Sequence, residues 1–227
     1  MKAQLINMLY AAGGFIVLFA MAEVMYHRLK FKVESTRKLV HGITGLMTLS
    51  FPILFTSHWV VLGLSTSFMA ILILSQRLGY LQSINAVARK TKGAQLFPIV
   101  VYTSFLSFQS HGDLMFYYLP ILLLSICDPI AALVGKRFPK GKFEINGHQK
   151  TLAGSFAFAI SALVISASAI MMSHQYLLIH NITLLVAIGV GVTLSEALVG
   201  KGYDNVSIPL STFAILSVFH QPLIHVV

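Results

Sequence analysis

Residues 114–135 read LMFYYLPILLLSICDPIAALVG, and Asp128 is the one charged side chain among them. A helix needs about 20 mostly apolar residues to cross the hydrocarbon of a bilayer, and this stretch supplies them with an acid inside. An acid at that depth costs on the order of 2.5 to 3.5 kcal/mol on insertion scales, so it implies a partner or a function. Asp128 precedes Gly135 by seven positions, which puts it about 10 Å inside the helix end at 1.5 Å per residue. Pro129 follows directly. Lacking an N–H, it frees the carbonyl of Ser125 and predicts a kinked or broken helix. A broken helix with a carboxylate is how membrane proteins build ion sites. The plainer reading is an Asp128 that pairs with a Lys or Arg of a neighbouring helix.

The rest of the chain has the same character. Of its 227 residues 56% are hydrophobic and only 10% charged, and the mean hydropathy is +0.81. Globular domains carry about 25% charged residues, so a water-facing surface is excluded. Eight apolar runs predict spans at about 4–26, 39–56, 58–76, 94–109, 114–135, 152–173, 176–199 and 206–222. The expected fold is therefore all-α: a polytopic integral membrane helix bundle of about eight transmembrane helices, forming a single domain over 1–227. Strand-like alternation is absent. Lys2 followed by an apolar run ending in Ala20-Met21-Ala22 imitates a signal peptide, but cleavage there would export the basic segment from His27 to Lys38, so the helix is retained. The lone Cys127 excludes a disulfide framework and any CxxC site.

Sixteen Lys and Arg against seven Asp and Glu give a net charge of +9. Arg28, Lys30, Lys32, Arg37 and Lys38 fall between the first two spans; Arg77, Arg89, Lys90 and Lys92 between the third and fourth. Lys136, Arg137, Lys140, Lys142 and Lys150 fall between the fifth and sixth, and Lys201 between the last two, so only Lys2 lies elsewhere. By the positive-inside rule those connections are cytoplasmic and both termini are outside, as for a multi-pass protein of a bacterial or archaeal cell membrane. Cations at membrane ends set topology and attract anionic headgroups, which removes nucleic acid as a partner. No internal repeat supports an inverted-repeat transporter.

Six of the seven acids, Glu23, Glu34, Asp128, Glu144, Glu196 and Asp204, project to the basic side; Asp113 alone is opposite. Downstream of Asp128 run Gly135-Lys136-Arg137-Phe138-Pro139-Lys140-Gly141-Lys142, Gly147, and Lys150-Thr151-Leu152-Ala153-Gly154-Ser155, where a helix opens. Glycines, cations and a helix N-terminus form a plausible polyphosphate cradle. No Gly-Lys pair is followed by Ser or Thr, so it is not a Walker A loop. A solvated connection is the plainer reading. Arg37 and Lys38 stand four and three positions before His41, so all three can face one cleft, with Gly42 and Gly45 permitting close packing. Glu196 in a last helical turn, and Asp204-Asn205 in the loop before Ile208-Pro209, suit a hard divalent cation such as Mg2+, although an Asp-Asn pair is commonly a turn and cap. The histidines outside this set read as interfacial, and Gly189-x-Gly191 as helix packing.

Ser35-Thr36-Arg37-Lys38-Leu39-Val40-His41, Cys127-Asp128-Pro129-Ile130-Ala131 with Gly135-Lys136-Arg137-Phe138, Lys150 to Ser155, and Glu196 with Asp204-Asn205-Val206-Ser207-Ile208-Pro209 together resemble the polyprenol kinase family. That family includes dolichol, phytol and farnesol kinases and is distantly similar to phosphatidate cytidylyltransferases. The resemblance spans about residues 23–212, with Lys90 in place of the usual acid in the connection before the fourth span and Pro129 in place of the glycine common in the phytol branch. It implies a membrane kinase that moves the terminal phosphate of a nucleoside triphosphate, typically CTP, to a prenyl alcohol. Carried over by motif, Asp128, Lys136, Lys150, Gly154 and Ser155 lie at the nucleotide and metal site; Glu196, Asp204 and Asn205 form its other wall; Arg37, Lys38 and His41 match the motif at the second span. The expected mechanism has Mg2+ held by Asp128 with Glu196 or Asp204. Lys136, Lys142 and Lys150, beside Arg137, neutralise the triphosphate, and a lipid alcohol arrives sideways from the inner leaflet. Asp128 or His41 takes the alcohol proton. A CDP-lipid synthase is the nearest rival, and a transporter or lipid-binding membrane protein is a rival of another class.

Overall fold

The apolar run that opens the chain stays helical over Lys2–His27 (α1), and the run from His58 does so to Leu78 (α4). There Gly79, at φ +75°, turns the chain out of the helix through the left-handed conformation that only glycine adopts without cost. The computed structural model describes residues 2–86, 93–145, 148–174, 179–200 and 202–219. Between α1 and α4 lie α2 (Val33–Thr48) and the single turn α3 (Phe51–Leu54); α5 (Gln82–Asn85) follows α4. Next come α6 (Gly93–His111), then α7 (Met115–Leu122), a π-helical turn at Leu123–Cys127, and α8 (Asp128–Arg137), which run on as one rod. Strands β1 (Lys142–Ile145) and β2 (His148–Thr151) pair antiparallel, Lys142 opposite Thr151 and Ile145 opposite His148. The chain continues as α9 (Leu152–His174), α10 (Ile179–Ala187), a second π turn at Ile188–Val192, α11 (Thr193–Leu198) and α12 (Asp204–Phe219).

Among the described residues five helices are long and apolar enough to cross a bilayer: 3–27, 58–78, 115–137, 152–173 and 181–198. The chain is thus an integral membrane bundle, all-helical among the described residues apart from one hairpin. The other three expected spans do not meet that standard. The run 39–56 divides into α2, only 16 residues long, and α3; α6 carries Gln95, Thr103, Ser104, Gln109 and Ser110; α12 is a shorter apolar helix. Helices enclosed by protein tolerate such polarity, since lipid touches little of them. The hairpin overturns the expectation of no strands. Asp204-Asn205 is also not in a loop: it forms the first turn of α12.

Within the bundle α8 lies along α9, α4 along α6, and α12 against both α6 and α7, while α2 crosses the first π turn. Phe105, Tyr117, Leu119, Ile121, Phe158, Ile170 and Ile188 are fully buried between these layers. Tyr117 donates its hydroxyl to the Thr48 carbonyl at 2.7 Å, which satisfies the one polar atom it carries into the core. Ile53, Trp59, Phe156 and Met172 instead point outward and exposed, as side chains that meet lipid do.

Candidate functional site

The site starts from what Pro129 does to its helix. Instead of breaking, the rod loosens into the π turn, where the Asp128 N–H bonds the carbonyl of Leu123, five residues back. In that register the N–H missing at Pro129 would have served the carbonyl of Leu124. His41, arriving from α2, takes its place with Nε2 3.4 Å from the Leu124 oxygen. A carbonyl only accepts, so Nε2 carries the proton and Nδ1 is the basic nitrogen of the neutral ring. The ring also packs edge-on against Phe97, with centroids 5.0 Å apart. α2 comes this close because its glycines face the π turn: a Cβ on Gly45 would overlap the Ser125 side chain, and one on Gly42 would meet the Ser125 carbonyl at 3.4 Å.

One cavity gathers Arg37, Lys38, His41, Asp128, Asp204 and Asn205 at its charged end. Asn205 is buried and held in place by its Nδ2, which donates to the Gly93 carbonyl at 2.7 Å. Gly93 allows this approach, since a Cβ there would stand 3.1 Å from that same nitrogen and 3.4 Å from Gly202 Cα. Asp204 Oδ1 accepts the Asn205 N–H at 3.2 Å, fixing one carboxylate oxygen at the start of α12. Arg37 donates to Glu34 at 3.0 Å. Lys38, one residue ahead of the apolar run, is held below the ordinary lysine range by burial, against the pull of Glu34 and Asp128. Asp128 lies within Coulombic reach of two more acids, Asp204 and Glu196, and of Lys150 and Lys38.

Lys150 and Glu196 face one another rather than the cavity. Lys150 Nζ donates to Glu196 Oε1 at 2.6 Å and also to the Glu196 carbonyl, with both side chains largely buried. The pair thereby ties β2 to α11. Beside it Thr151 caps α9, its Oγ1 accepting the Gly154 N–H at 3.0 Å. Gly154 and Gly135 meet where α9 crosses α8: a Cβ on Gly154 would stand 2.9 Å from the Ala131 carbonyl and 3.4 Å from Gly135 Cα. The Ser155 hydroxyl is buried without a hydrogen-bond partner among the described residues. Lys136, Arg137 and Lys142 are exposed at the end of α8 and the start of the hairpin. Lys136 lines a groove on the outer side of α2 and α8, a groove that shares Lys38 and Pro129 with the cavity.

The structure thus brings Arg37, Lys38, His41, Asp128, Asp204 and Asn205 to one cavity, pairs Lys150 with Glu196 beside it, and leaves Lys142 and Arg137 outside. Among the described residues no three His, Cys, Asp or Glu side chains converge at metal-ligand spacing. Two carboxylates in one cavity are nevertheless what Mg2+ ordinarily takes from a protein, its other positions going to water and phosphate. Asp128 and Asp204 fit that role, whereas Glu196 has its Oε1 committed to Lys150. Gly93, Gly202 and Phe97 were not expected here; they carry no charge, and only the crossing of α6 with α12 brings them in. Arg89, Lys90, Lys92, Gly147 and Lys201 lie outside the described residues.

No protein-family model matches the chain, and no solved structure does. The chain is similar to a curated phytol kinase from Synechocystis sp., at 26% identity over 185 residues, which covers 79% of this chain and 76% of that relative. This similarity supports the resemblance to polyprenol and phytol kinases that the motifs carry.

Proposed function

We propose that the chain is a lipid kinase that transfers the γ-phosphate of a nucleoside triphosphate, CTP in the first instance, to the hydroxyl of a prenyl alcohol. The carrying observation is that one cavity has two carboxylates, two cations and a tautomer-fixed histidine at one end, while the rest of its wall is apolar save for Thr44, Thr48 and Ser65. Similarity to a phytol kinase supports it from the side of sequence.

Phosphoryl transfer asks a protein mainly for alignment and charge neutralisation. Asp128 and Asp204 would hold Mg2+, which supplies charge neutralisation to the phosphates when bound. Arg37 and Lys38 face the same end and stabilise the negative charge of the transferred group. The alcohol lies with its hydroxyl beside His41, whose Nδ1 takes the proton as the new O–P bond forms and the bond to the β-phosphate oxygen breaks, releasing the nucleoside diphosphate. The groove along α2 and α8, with Lys136 at its end, shares Lys38 and Pro129 with the cavity and gives the alcohol a route to the charged layer.

The test is γ-labelled CTP, ATP or UTP given with prenyl alcohols to the purified protein in nanodiscs, with and without Mg2+. Label transferred to lipid, abolished by chelation and restored by Mg2+, supports the reading. With phosphatidate supplied in place of the alcohol, label released as pyrophosphate identifies a CDP-lipid synthase instead, and substrate flux without nucleotide hydrolysis identifies a transporter.

A further inference from the structure

The cavity does not stop at the charged end, and its depth follows from helix rise. Along α2 its lining continues from Lys38 through Thr44 to Thr48, about 15 Å at 1.5 Å per residue. On α6 it passes from Gly93 through Phe97 to Val101, and on α1 from Phe19 to Phe15. On α4 it passes from Leu72 through Phe68 to Leu64 and Ser65. All four helices leave the charged layer together, so the bore covers about half of a hydrocarbon core roughly 30 Å thick.

The far end is closed by rings. Phe15 meets Phe51 edge-on at 6.4 Å and Phe68 at 4.5 Å. Phe51 in turn meets Phe55 at 5.1 Å, and Phe55 is 1% exposed. Apart from Thr44, Thr48 and Ser65 the lining beyond His41 is hydrocarbon. Thr48 has already given its hydroxyl to the Gly45 carbonyl. Such a space offers nothing to a nucleotide and suits an unbranched or branched aliphatic chain.

We infer that this bore is a blind chamber for the hydrocarbon tail of the acceptor alcohol and that its aromatic floor sets the longest tail the enzyme uses efficiently. The inference rests on the kinase reading and names the substrate class within it: alcohols whose tail ends in the inner half of the bilayer, in the length range of farnesol to phytol, rather than long polyprenols. A long tail would have to fold back or leave between helices, losing the burial that a fitting tail gains.

Two substitutions at the floor change its level in opposite senses. Ser65→Leu fills the deep end from α4 and Phe68→Ala opens it. kcat/KM is measured for geraniol, farnesol, phytol and a long polyprenol. Ser65→Leu is expected to lower the phytol-to-geraniol ratio about tenfold or more, and Phe68→Ala to raise the polyprenol-to-phytol ratio by a similar factor, as pocket size normally discriminates. An alcohol with a diazirine at its tail end, irradiated on the intact protein without nucleotide, is expected to label α1 and α4 near Phe15 and Phe68. Unchanged ratios in both variants, or label confined to α9 and α10, overturn the chamber even if alcohols are phosphorylated. Labelling of α1 and α4 by a protein that phosphorylates no alcohol leaves the chamber standing and overturns the kinase reading.

Discussion

Asp128 and the Lys150–Glu196 pair separate two roles that a charged side chain plays inside a membrane. Asp128 faces the cavity with no ion-pair partner among the described residues, so its role should be chemical. Asp128→Asn is expected to lower kcat by at least about 10²-fold while leaving the thermal midpoint in detergent at or above its original value, because it removes one of several repelling acids. An active Asp128→Asn enzyme would remove the proposed metal ligand. Lys150 holds Glu196 Oε1 while Oε2 stays buried without a hydrogen-bond partner among the described residues, so the role of the pair should show in stability. Lys150→Met alone strands a buried carboxylate and should cost about 3 to 5 kcal/mol, and Lys150→Met with Glu196→Met should regain most of that. Denaturant unfolding of the two single variants and the double variant closes the cycle; additive losses would deny the coupling. Asp128 was legible in sequence because a charge in an apolar run is conspicuous, and Lys150 only as one cation of a basic, glycine-containing connection. Which residue pairs with which was not, since the two partners stand 46 positions apart and nothing local joins them.

At the scale of elements the apolar runs announced the outward-facing helices, which meet lipid over much of their surface, and gave weaker notice of α2, α6 and α12, which carry more polar side chains. The hairpin escaped a search for alternation because each strand has only four residues; the Asn146-Gly147 pair between them was the readable signal. Pro129 announced an irregular helix but not that a π turn would absorb it, nor that His41 would cross from another helix to the freed carbonyl. Glycines are where reading and structure diverge most. Gly154 suggested a phosphate cradle, yet its N–H already serves Thr151 and its missing Cβ lets α9 touch α8. Gly154→Ala is therefore expected to destabilise the protein by about 1 to 3 kcal/mol, as overpacking does, and to leave the nucleotide KM nearly unchanged in the fraction that folds. A raised nucleotide KM at unaltered stability would return Gly154 to the phosphate site. Pro129→Ala restores an N–H that competes with His41 for the Leu124 carbonyl, and should lower kcat more than it alters the KM for either substrate.

For the molecule as a whole, chemistry and topology must agree. The charged end of the cavity is built from residues next to the basic connections: Lys38 follows Arg28, Lys30 and Lys32, and Asp128 stands one helix length before Lys136 and Lys140. Nucleoside triphosphates are cytoplasmic, so the proposed reaction requires that these connections face the cytoplasm, as the placement of Lys and Arg predicts. Single cysteines in a Cys127→Ser background read this directly. Lys140→Cys, exposed just beyond α8, should react with a membrane-impermeant maleimide only in inside-out vesicles, and Asp113→Cys, beyond the opposite end of α6, only in intact cells. The reverse pattern would place Asp128, Lys38 and Asp204 on the face without nucleotide, and no arrangement of the cavity could then recover the kinase reading. Agreement carries a further consequence for the acceptor. Its hydroxyl must stand at the cytoplasmic layer while its tail descends toward Phe15 and Phe51, the orientation that an alcohol already holds in the inner leaflet, so it need not invert to reach His41.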